Sequence, residues 1–208
     1  MKTEDLIRAM AGDTVVGPAP QGRLIWLLPA LSLAFVALWV RLGLRADLGV
    51  VLQDPVSAMR IVLSLALGAC AVWAGLRLAR PGAVVRLWPL AAVALVAAGL
   101  WLWAYATMPA GGRQMAIVGK TMAGCLTTIP LLAVLPTAVV LATLRQGAPV
   151  RPVLAGAVAG LAGGGLAAAV YALHCTEDSP LFYVTWYGTA ILGVSAVSAL
   201  VAGRVLRW

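Results

Sequence analysis

The chain has 208 residues, of which 62% are hydrophobic and only 11% charged, with a net charge of +8. Ordinary soluble domains carry about 25% charged residues, and a mean hydropathy of +0.98 leaves more apolar surface than a soluble core can bury, so a soluble globular fold is excluded. The 15 Lys and Arg residues stand singly at the ends of apolar blocks rather than in one basic patch, which also argues against direct nucleic-acid binding.

Residues 1–23 hold Glu4, Asp5 and Asp13 and no apolar run, so they read as a retained segment rather than a cleavable signal peptide. Thr3 is a helix cap, Glu4 and Asp5 suit the positive end of the helix dipole, and Gly12 is a stop. Leu6, Ile7 and Met10 then make an apolar stripe with Glu4, Arg8 and Asp13 around it. Such a short amphipathic helix either lies on a membrane surface or docks in a partner's groove, and its mixed charge favours the partner.

Six blocks free of Asp, Glu, Lys, Arg and His follow: Leu24 to Val40, Ile61 to Leu76, Leu87 to Met108, Thr121 to Leu144, Pro152 to Leu173 and Ser179 to Gly203. Crossing about 30 Å of hydrocarbon takes roughly 20 residues, and in lipid only a helix satisfies every backbone N–H and C=O within one segment. The expected fold is therefore an all-α integral membrane protein of six transmembrane helices. Residues 1–22 form an amino-terminal segment and residues 23–208 the membrane domain. The second block is short, and Arg60 and Arg77 are expected to snorkel from its ends.

Alternating the spans puts ten Lys and Arg residues on the side of both termini and five on the other, where Arg41, Arg45, Arg60, Arg113 and Lys120 stand. The positive-inside rule then makes both termini cytoplasmic. Short connections predict antiparallel neighbours. The fifth block carries Gly156, Gly160 and Gly164 at a spacing that permits close helix contact, within the chain or in a homodimer. Pro130 and Pro136 fall inside the fourth block, with Thr127 and Thr128 near enough to re-bond freed carbonyls.

With no ionisable group inside any block, energy-coupled transport has nothing to work with. One histidine, His174, and few loop acids leave no catalytic cluster, so a non-enzyme without a cofactor is expected. The cysteines are more informative. Cys70 lies mid-block and reads as packing, whereas Cys125 and Cys175 fall near the same outer surface, Cys125 about one turn into its helix and within reach of external reagents. Three readings of that pair stay open: a disulfide, a soft-metal site completed by His174, Glu177 or Asp178, and two packing thiols. A membrane thiol oxidoreductase is the rival function, weakened by the absence of Cys-x-x-Cys, and a small-molecule permease is a lesser one.

The opening Thr3 to Asp13 stretch, Arg45-Ala-Asp47-Leu48, Gly124-Cys125 followed by Pro130 and Pro136, and above all Tyr171-Ala-Leu-His174-Cys175-Thr-Glu-Asp178-Ser-Pro180 resemble the NrsF-type membrane anti-sigma factors. The resemblance spans nearly the whole chain. It implies an inner-membrane protein whose cytoplasmic amino-terminal segment, through Leu6, Ile7, Arg8 and Met10, sequesters an extracytoplasmic-function sigma factor. It further implies that Cys125 and Cys175 sense oxidative or heavy-metal stress. The zinc-binding His-x3-Cys-x2-Cys pattern of soluble anti-sigma domains is absent from the chain, so the sigma contact would rest on a small surface, with the Arg77 to Arg86 loop as an auxiliary.

Overall fold

A computed structural model describes residues 3–12, 20–80, 84–147 and 149–206. Every regular element among them is helical. Helix α1 spans Thr3–Gly12, and a 3-10 segment, Pro20–Trp26, runs into α2, Leu27–Leu42. There follow α3 (Leu48–Val51), α4 (Pro55–Leu78), α5 (Trp88–Thr107), α6 (Ala110–Val118), α7 (Met122–Arg145), α8 (Pro152–Tyr171) and α9 (Pro180–Val205). Six stretches are long and apolar enough to cross a membrane, as the charge-free blocks predict: Gly22–Leu42, Pro55–Leu78, Trp88–Thr107, Ala110–Arg145, Pro152–Tyr171 and Pro180–Val205.

Helix α8 is the axis of the bundle, with α4, α7 and α9 around it. Small residues make that possible. A Cβ on Gly160 would stand 2.5 Å from the Ser195 Cα of α9, and one on Gly165 would stand 2.9 Å from the Gly68 backbone nitrogen of α4. Gly163 meets Thr137 of α7 in the same way. The Gly156 to Gly164 face is thus covered by α9 of the same chain, which is the intramolecular use of the spacing. Helix α5 sits at the rim, with Ala104 as its buried residue.

Three departures from the sequence reading bear on the site. Helix α4 begins at Pro55, ahead of the charge-free block, because Asp54 caps it by accepting from the Ser57 N–H at 2.8 Å and Pro55 occupies the first turn. Arg60 is therefore inside the helix, and instead of snorkelling it is wholly buried. A separate helix, α6, precedes α7. Thr127 re-bonds the Ala123 carbonyl at 2.8 Å, one turn back, rather than the Leu126 carbonyl that Pro130 frees.

Candidate functional site

The carboxyl ends of α2 and α8 and the amino ends of α4, α7 and α9 meet at one end of the bundle, and the loop 172–179 joining α8 to α9 lies among them. Cys175 is in that loop, and Cys125 is one turn into α7, its N–H bonded to the Thr121 carbonyl at 3.1 Å. The structure brings the two thiols into one buried cluster. Cys125 also donates to the Tyr171 hydroxyl at 3.7 Å, and Thr121 Oγ1 is 3.9 Å from the Cys175 sulfur. Gly124 has no side chain to push Tyr171 away; a Cβ there would come 3.1 Å from its hydroxyl.

Both thiols are more deeply set than a boundary site predicts, at 0% exposure for Cys125 and 1% for Cys175. The reason is aromatic cover. Phe182, Tyr171 and Tyr187 share their apolar cluster, and the Tyr171 and Tyr187 rings meet edge-on at 5.8 Å. The Cys175 thiol, in the loop, is held below the ordinary range by the neighbouring Cys125 thiol, with burial opposing.

The structure does not bring the proposed metal set together. His174 Nδ1 is 3.0 Å from the Gly43 carbonyl, Glu177 accepts from the Lys120 N–H at 2.7 Å, and Asp178 is taken by arginines. Among the described residues no group of three or more His, Cys, Asp and Glu side chains is arranged to hold a metal.

Sequence reasoning missed those arginines. Arg60 Nη1 donates to the Cys175 carbonyl at 3.1 Å and the Glu177 carbonyl at 3.0 Å, and pairs with Asp178 at 2.9 Å. Arg45 Nη1 also reaches the Cys175 carbonyl, at 3.0 Å. Its guanidinium binds Asp178 at 2.8 and 3.1 Å and Asp47 at 2.7 and 2.8 Å. These bonds hold the Asp47 carboxyl down at about 2 and keep Arg45 firmly protonated. The available signal was Arg45-Ala-Asp47 and Asp178 in two loops at one end of the bundle, with Arg60 just ahead of an apolar block.

At the amino terminus, α1 carries Ile7 and Arg8 as exposed residues, Ile7 at 61%. The side chains of Leu6 and Met10 lie outside the described residues.

The family profile "NrsF: Negative regulator of sigma F" matches residues 11–208. The chain belongs to the NrsF family. It is 36% identical over the full length of both chains to the "Probable anti-sigma-F factor NrsF" of Azospira oryzae (strain ATCC BAA-33 / DSM 13638 / PS). It is 32% identical, again over the full length of both, to the "Anti-sigma-F factor NrsF" of Caulobacter vibrioides (strain NA1000 / CB15N). The NrsF profile begins after Leu6, Ile7, Arg8 and Met10, whereas the two NrsF relatives align across them. No solved structure matches the chain.

Proposed function

We propose that this chain is an anti-sigma factor of the bacterial inner membrane that holds an extracytoplasmic-function sigma factor through its cytoplasmic amino-terminal segment and releases it under oxidative or heavy-metal stress. Full-length relatedness to proteins named anti-sigma-F factors carries the reading. Six apolar helices and the excess of Lys and Arg on the side of the termini support a membrane location with both ends inside. Leu6, Ile7, Arg8 and Met10 are the contact residues on α1, and a helix of ten residues is marginal alone and gains order by docking.

Cys125 and Cys175 are the sensor. Facing thiols lose two electrons and two protons to an oxidant and form one disulfide, and a thiophilic metal reacts with the same pair after displacing their protons. Either event repacks α7 against the α8–α9 loop. A coupling of about 1–3 kcal/mol between thiol state and sigma binding is enough to switch the partner. The test is a sigma-dependent reporter in cells whose only copy carries C125S and C175S: repression persists and induction by oxidant is lost. Normal induction in that strain removes the cysteines from the mechanism.

A further inference from the structure

The loop carrying Cys175 has no regular structure of its own, yet it is gripped along most of its length. Arg45 donates its backbone N–H to the Leu173 carbonyl at 3.1 Å, His174 meets Gly43, and both Arg45 and Arg60 donate to the Cys175 carbonyl. Asp178 closes the loop by pairing with the same two guanidinium groups. Arg60 has no exposed surface, and its Nε and Nη2 find no partner among the described residues, so the loop oxygens and Asp178 supply the compensation for burying its charge.

We propose that Arg45 and Arg60 are positioning residues: they hold Cys175 opposite Cys125 and couple the thiol pair, through α2, to the amino-terminal segment. The proposal rests on the reading of those cysteines as the sensor. Its route follows from the topology. Arg45 stands just past the end of α2, and the other end of α2 continues through the 3-10 segment toward α1. Helix α2 buries only a narrow stripe of Ala30, Ala34 and Leu38, two of them small, a seam that resists sliding less than interlocked large side chains do. A disulfide that draws Cys175 toward Cys125 pulls on the carbonyl that both arginines hold. The pull reaches α2 at Arg45 and α4 at Arg60, and of these two helices α2 is the one that follows the amino-terminal segment in the chain.

The experiment uses full-length protein in native membranes carrying D178N, R45M or R45K, with two readouts. One is maleimide labelling of Cys175 resolved from Cys70 by mass spectrometry; the other is the sigma-dependent reporter in unstressed cells. With D178N or R45M, labelling of Cys175 rises about thirty-fold, the middle of the range for linked sites, while Cys70 is unchanged and the reporter turns on without oxidant. Cys175 labelling equal to wild type overturns the positioning role, and raised labelling with a silent reporter overturns the route through α2. If Cys70 labels faster as well, the variant has opened globally. R45K, which keeps the charge but cannot bridge Asp178 and the Cys175 carbonyl together, then decides on the same criteria. Failure of the sensor reading is seen separately, as oxidant response surviving in the double cysteine variant.

Discussion

Arg60 and Asp178 meet at 2.9 Å, the arginine with none of its side chain exposed and the aspartate with 38%. The pair is asymmetric. Asp178 keeps water and Arg45 as alternatives, whereas Arg60 depends on Asp178 and on backbone carbonyls of the loop.

That asymmetry predicts unequal costs for removing either partner. Asp178→Asn strands a buried guanidinium and lowers stability by about 3 kcal/mol, the low end for broken buried pairs because Asp178 is partly solvated. Arg60→Met removes the buried charge, fills its space and leaves Asp178 with Arg45, so it lowers stability by less. Denaturant midpoints of the purified proteins in one detergent compare the two directly, and equal losses contradict the asymmetry.

The glycines of α8 and α9 differ in what they face. Gly160→Ala drives a Cβ into the Ser195 backbone at 2.5 Å, with nothing flexible to yield, whereas Gly188 has open space within 4 Å. Parting α8 from α9 costs about 1–3 kcal/mol, and Gly188→Ala leaves the thermal midpoint unchanged or raises it. A Gly160→Ala protein as stable as wild type contradicts the packing described.

Asp47 sets a pH window. Its folded value of about 2 lies below the ordinary 3.8, so what it contributes is fully present above about pH 4 and is lost as pH falls toward 2. Thermal stability is therefore level from neutral to mildly acidic pH and declines below that window, and Asp47→Asn flattens the decline attributable to this group.

The Cys175 thiol is held below the ordinary thiol range by the neighbouring Cys125 thiol. Cys125→Ala removes that neighbour, so the pH midpoint for alkylation of Cys175 by a small uncharged reagent moves upward. A midpoint that stays put, or moves down, removes Cys125 from that role.

The spans were legible because lipid demands long runs without ionisable groups, and six such runs are plain in the chain. Their ends were less so. Arg60 cut the second run short on paper, whereas Asp54 and Pro55 start the helix earlier and the arginine is carried into the bundle with a counter-ion. Helix α6 was hidden by Gly111, Gly112 and Arg113, residues that read as loop. The placing of Cys125 and Cys175 at one end of the bundle was legible from topology, since the α7–α8 hairpin returns both there. The Arg45, Arg60 and Asp178 contacts were not, because charge pairing between distant segments leaves no periodic signal, and the aromatic cover over the thiols depends on the rotation of α8 and α9.

The decisive measurement is recovery of the tagged protein from its host membranes beside a version lacking residues 2–20, with mass spectrometry of the bound proteins. A sigma factor retained by the full chain and lost with the amino-terminal segment is the predicted result. A sigma factor held equally by both versions contradicts binding through α1, and its absence from both contradicts the anti-sigma function.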